Sequence, residues 1–142
     1  MSFWDSSALV PLCLNEFRSQ TARSFWRRFS ERYVWRGTPV EIVSAITRRL
    51  TEQSINTREL RVAESRLADL ERRWTAIEST DRCVVLARTF PGLYGLRALD
   101  SLQLASALIW CKELPKNKDF VSADVRLLKA AESAGFTIHD LS

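Results

Sequence analysis

The chain has 142 residues, 46% hydrophobic and 27% charged, which suits one globular domain with a single sizeable core and excludes a disordered segment. Its three cysteines, Cys13, Cys83 and Cys111, are too far apart for a disulfide framework or a CxxC metal site and suit a reducing, cytoplasmic setting. No basic and apolar leader opens the chain and no apolar run reaches the ~18 residues of a membrane span, so the sequence predicts neither secretion nor membrane insertion.

"SFW" reads as a short strand ending at Trp4, followed by a turn at Asp5 and Ser6 and a helical run. From Glu16 to about Phe29, the stripe Ala22, Phe25, Trp26 and Phe29 predicts an amphipathic helix. Arg23, Arg27 and Arg28 fall on its polar side, within a crowd that also holds Arg18, Arg32 and Arg36. Shared on one face, these cations attract a polyanion such as RNA; the plainer reading is a solvated helix surface. "YVWRG" predicts a second strand, and "TPVEIVSAITRRL" a helix with Thr38 as N-cap, Pro39 at the first helical position and Glu41 closing a capping box. A further helix starts at Asn56 or Thr57, with Leu60, Ala63, Leu67, Leu70, Trp74 and Ile77 as its apolar stripe, and "TAIES" is a brief strand after it. "DRCVVLARTF" is a short helix, and Pro91, Gly92 and Gly95 mark a loop before the helix that carries Asp100. "DFVSAD" is a fourth strand, "VRLLKAAESAG" a helix ending at Gly135, and "FTIHDL" a fifth strand.

Strands alternating with helices predict an α/β fold with a mainly parallel sheet of about five strands, covered on both faces. Ligands in such sheets gather at the carboxyl ends of the strands. No GxGxxG or GxxxxGK[ST] loop is present, which excludes the usual nucleotide cradles.

The carboxylates carry the remaining signal. Asp5 and Asp124 each end a strand and precede a helix, so each reads as an N-cap or as a site residue at one sheet edge. Glu41 reads as a capping-box acid or as an inward-facing acid, and Asp100, the one charged residue between Ala98 and Cys111, sits mid-helix where it caps nothing. An ion pair with Arg97 is its structural alternative. If the four converge they repel one another unless a divalent cation neutralises them, and an all-oxygen set selects Mg²⁺ or Mn²⁺. Asp119 lies at the amino end of the fourth strand, roughly 16 Å from Asp124 at ~3.3 Å per residue, so Asp124 is the acid of the catalytic edge. Ser122 points to the same side as Asp124. His139, the sole histidine, has no triad or zinc partner and reads as structural.

Taken together, "FWDSSALVPLCLNE", "TPVEIVSAITRR", "LRALDSLQLASAL" and "FVSADVRLLKAAESAGF" resemble the motifs of PIN-domain ribonucleases, most closely the VapC-type toxins. The likeness covers nearly the whole chain as one domain, 1–142. It implies a three-layer α/β/α sandwich in which Asp5, Glu41, Asp100 and Asp124 bind Mg²⁺ or Mn²⁺, with Ser122 as an auxiliary site residue. It further implies a metal-dependent endoribonuclease that is the toxin of a toxin–antitoxin pair, with RNA as substrate, a cognate antitoxin as partner and a homodimeric state. Two departures stand out: Gln103 replaces the histidine of many relatives, and "VSAD" lacks the usual threonine. The competing readings are a catalytically idle PIN-like module that binds RNA or protein through the basic helix and Phe25, Trp26 and Trp35, and a receiver-like phospho-acceptor domain. The receiver needs a lysine after the last strand, and "FTIHDLS" has none.

Overall fold

The computed structural model describes Met1–Ser142 as an alternation of strands and helices. β1 (Ser2–Trp4) leads into α1 (Ser6–Cys13) and α2 (Ser19–Arg28); β2 (Arg32–Trp35) into α3 (Thr38–Thr51) and α4 (Thr57–Glu71). β3 (Thr75–Ile77) is followed by α5 (Asp81–Ala87), α6 (Phe90–Tyr94) and α7 (Ala98–Trp110), then β4 (Asp119–Ser122), α8 (Val125–Ala134) and β5 (Thr137–Asp140). The five strands pair in the order β3-β2-β1-β4-β5, and every pairing is parallel.

Successive strand residues face opposite ways. Trp4, Val34 and Val121 join Leu9, Trp26, Ile46 and Leu67 under α1 to α4, whereas Phe3 and Phe120 join Leu104, Leu108 and Leu127 under α5 to α8. The result is a three-layer α/β/α sandwich with a core on each side of the sheet. The chain builds outward from β1 to β2 and β3, then returns to lay β4 on the other flank of β1. Helices after β1 and β4 thus leave toward opposite faces, which opens a crevice at the carboxyl ends of these two strands, the switch point where α/β sheets bind ligands.

Several boundaries differ from the sequence reading. The helix expected from Glu16 begins at Ser19, whose hydroxyl accepts from the Glu16 amide at 2.9 Å. α3 takes Gly37 as its cap residue, with Thr38 already helical and no side-chain cap, so the expected Thr38–Glu41 capping box does not form. A capping box does form at α4, between Asn56 and Glu59. α4 stops at Glu71, leaving Trp74 in the turn beyond it and Ile77 in β3. Pro91 and Gly92 sit inside the short α6, which Gly95 ends in the left-handed region at φ 66°. α8 ends at Gly135, where φ is 117° and an added Cβ would lie 2.9 Å from Pro115 Cγ. The three cysteines are free and buried.

Candidate active site

Asp5 is the residue after β1 and caps α1: the Ser7 amide donates to Oδ2 at 3.3 Å. The side chain is 2% exposed and held by three hydroxyls. Ser6 Oγ donates to Oδ1 at 3.3 Å, Ser7 Oγ to Oδ2, and Ser122 Oγ from the end of β4 to Oδ2 at 2.7 Å. Burial raises the carboxyl above the ordinary range, the hydroxyl donors oppose this, and the Asp124 charge adds to the rise. Asp5 thus caps α1, and its buried carboxylate stands at the candidate site.

Asp124 repeats the arrangement after β4. Its Oδ1 accepts from the Leu127 amide at 3.0 Å and so caps α8, while its own amide donates to Ser122 Oγ at 3.0 Å. Ser122, fully buried, therefore ties the two strand-end acids together across the switch point. Ser7 seconds it: its Oγ lies 3.2 Å from Ser122 Oγ and accepts from the Ala123 amide at 2.9 Å.

Glu41 and Asp100 come from helices on the two opposite faces. Glu41 is in the first turn of α3, half-buried, and Gln103 Nε2 of α7 donates to its Oε1 at 2.6 Å. The same amide nitrogen donates to Thr38 Oγ1 at 3.1 Å. Gln103 is fully buried, so its donors have protein partners only, and the two acceptors at the start of α3 supply them. This is why Glu41 does not bend back to Thr38. Burial pushes the Glu41 carboxyl up to about 7, with the Gln103 bond opposing and the Asp5 and Asp100 charges adding. Asp100 is a correction: α7 starts at Ala98, which puts this acid in the first turn rather than mid-helix, where the helix dipole favours an anion. Burial, then the charges of Asp124 and Asp5, push its carboxyl up to about 6, against the pull of Arg97 and Arg126.

The structural alternative for Asp100, an ion pair with Arg97, does not form: neither Arg97 nor Arg126 comes within 4.0 Å of a carboxylate oxygen. Arg97, Asp100, Asp124 and Arg126 instead line an open cavity of about 250 Å³. The four acids feel one another's charge, yet no three His, Cys, Asp or Glu side chains are drawn together tightly enough to hold an ion between them. Their chemistry suits a hard divalent cation: oxygen donors only, with the Asp5, Glu41 and Asp100 carboxyls raised by burial and by neighbouring acids, a strain that such a charge relieves.

Asp119 opens β4 at the other edge of the sheet and meets His139 Nε2 at 2.8 Å, with the imidazole edge-on against Phe25 and Phe29. The pair ties β4 to β5. Arg23, Arg27 and Arg28 are exposed on α2; Arg23 lines a separate cavity of about 290 Å³ with Trp26, Arg66 and Arg73. None of the three lines the acidic cavity. Sequence reasoning missed Ser6 and Ser7, although two serines directly after a strand-end aspartate are a visible set of local donors.

Raised carboxyls carry a pH signature. A group whose pKa is higher folded than unfolded stabilises the fold fully below its ordinary value and loses that contribution as pH rises through the folded value. For Glu41 and Asp100 the loss runs from about 4 to about 7. In EDTA, raising the pH from about 5 to about 8 should remove roughly 1–3 kcal/mol that Glu41→Gln does not lose. Urea midpoints of the two proteins across that range are the check; parallel profiles would contradict the assignment.

No protein-family model matches the chain, and no curated protein does. A solved structure does: a chain of a toxin–antitoxin complex from Klebsiella pneumoniae superposes with a TM-score of 0.67 at 13% identity, over 100% of this chain and 98% of that one. The likeness is one of fold. It extends from end to end, so the α/β/α sandwich is an architecture used in that complex.

Proposed function

We propose that this protein is a metal-dependent endoribonuclease of the PIN type, and that it acts as the toxin of a toxin–antitoxin pair. The observation that supports the reading best is that Asp5 and Asp124 end the adjacent strands β1 and β4, tied together by Ser122, while burial and the charges of neighbouring acids push up the carboxyls of Asp5, Glu41 and Asp100. The fold shared with a chain of a toxin–antitoxin complex supports the biological half of it. A cognate antitoxin, a cytoplasmic setting and a homodimer belong to the same reading and rest on the family resemblance. No helix is long and apolar enough to cross a membrane.

Asp5, Glu41, Asp100 and Asp124 are the residues that would hold Mg²⁺ or Mn²⁺. When bound, the ion supplies charge stabilisation at the scissile phosphate and a more acidic attacking water. The chain's own contributions are separable. Ser7 and Ser122 fix the Asp5 carboxylate by donating to one oxygen, which leaves Oδ1 with a single long contact from Ser6. Gln103 holds Glu41 by Oε1 and sets its direction. One of the four carboxylates would orient the attacking water. No histidine is needed, and the ring of the only one is engaged with Asp119.

The test is incubation of the purified protein with total RNA in Mn²⁺, Mg²⁺ or EDTA, followed by sequencing of the cut ends. Discrete cleavage that EDTA abolishes is the expected result. RNA bound but uncut under every cation would favour the idle binding module.

A further inference from the structure

Two arginines at the acidic crevice are unexplained by the fold. Arg97 precedes the first turn of α7 and Arg126 is the second residue of α8, both exposed. Both line one open cavity with Asp100 and Asp124. Other arginines that lie near acids on this surface pair with them: Arg36 with Glu78 at 3.6 Å, Arg49 with Glu16 at 2.8 Å and Arg82 with Glu113 at 2.7 Å. Arg97 and Arg126 do not; neither side chain makes a hydrogen bond or an ion pair, although Asp100 and Asp124 share their cavity. A guanidinium presents five donors in a planar fork that fits two oxygens of one phosphate. Two such forks stand open here beside the acids, in a cavity whose four lining residues are all charged.

We propose that Arg97 and Arg126 form a phosphate clamp that seats the backbone of single-stranded RNA next to the acidic crevice. The proposal rests on the nuclease reading and adds how the substrate is held. The cavity holds no aromatic or apolar wall on which a base could stack, so the clamp engages phosphate and not base, and it positions the strand without reading its sequence. It also answers how a crevice of four acids admits a polyanion: the two cations flank Asp100 and Asp124 and offset their field along the entry. The arginines of α2, which the sequence singles out for RNA, do not line this cavity.

The experiment compares wild type, Arg97→Gln, Arg126→Gln, the double variant and the triple variant of Arg23, Arg27 and Arg28 to Gln, alone and combined with the double. The probe is one fluorescent, mixed-sequence, single-stranded RNA. Cleavage is followed in Mn²⁺ over a range of salt, binding by anisotropy in Ca²⁺, and Mn²⁺ affinity by calorimetry without RNA. The expected result is a severalfold rise in KM for each single variant, with kcat and Mn²⁺ affinity little changed. The slope of log affinity against log salt should shrink by about one for each arginine removed. Removing Arg97 and Arg126 should shrink the slope by the same amount in the triple-variant background as in wild type, whatever the α2 arginines themselves contribute. An unchanged slope in the double variant overturns the clamp, as does a loss confined to thermal stability, which is what a purely electrostatic support of the acids predicts. A wild type that binds the RNA through these arginines without cutting it defeats the nuclease reading and keeps the clamp; one that neither binds nor cuts defeats both.

Discussion

Replacing Asp100 with Asn should abolish RNA hydrolysis and leave the fold at least as stable as wild type in EDTA. Asp100 is pushed up to about 6 by burial and by the charges of Asp124 and Asp5. Ionised at neutral pH, it therefore works against folding, and a neutral amide of the same shape removes that cost. The opposing expectation comes from an Asp100–Arg97 ion pair, whose rupture would leave a partly buried guanidinium unpaired at about 3–5 kcal/mol. The geometry decides between them: no such pair forms and Arg97 is exposed. Loss of a screened, unpaired attraction is worth well under about 1 kcal/mol. The substitution also removes one of the charges that hold the Glu41 carboxyl near 7, so the pH profile of the metal-free fold should flatten with it. Urea melts in EDTA beside RNA cleavage in Mn²⁺ measure both halves. A clearly less stable but still active variant would falsify the role given to Asp100.

Asp124→Asn and Asp119→Asn should separate activity from stability in opposite directions. Asp124 caps α8 through one oxygen, and asparagine caps a helix as well as aspartate does, so the fold survives the change. Activity does not survive: the loss should exceed the roughly 10- to 100-fold that removal of a merely supporting group costs at a metal centre. Asp119→Asn weakens the contact with His139 beneath Phe25 and Phe29, at about 0.5–1.5 kcal/mol, and leaves cleavage near wild type because the pair lies at the other edge of the sheet. Paired melts and cleavage rates read both. Equal losses of activity in the two variants would remove the distinction between the edges.

What could be read from the sequence was local, and what could not was a matter of distant partners. β1 and α1, or β4 and α8, are visible because an apolar run ends in an aspartate that must cap the next helix, and that same requirement puts both acids at the carboxyl edge. T-P-V-E at α3 and N-T-R-E at α4 look alike as patterns, yet only the second is a capping box. The difference lies in Gln103, 62 residues from Glu41, whose buried amide claims the Glu41 carboxylate that a local rule assigns to its own helix. The α4 stripe runs past Glu71 because Trp74 and Ile77 are apolar for another reason, their places in the turn and in β3. Asp100 looked mid-helix because its capless helix start at Arg97 carries no residue that marks it. The role of Arg97 and Arg126 is invisible in sequence, since it depends on where α7 and α8 begin relative to one another.

The position of β1 at the centre of the sheet sets when the crevice comes into being. β1 is made first, but its neighbour β4 is among the last strands, and the hydrogen bond from Ser122 to Asp5 joins residues 117 apart in sequence. Pairings at such separation close late and make folding slow. Asp5, Glu41 and Asp100 all precede β4 in the chain, and β4 alone brings Ser122 and Asp124 to them. The site is therefore completed by the pairing of β1 with β4, and whatever loosens that pairing parts Asp5 from Asp124 before it disturbs either helix.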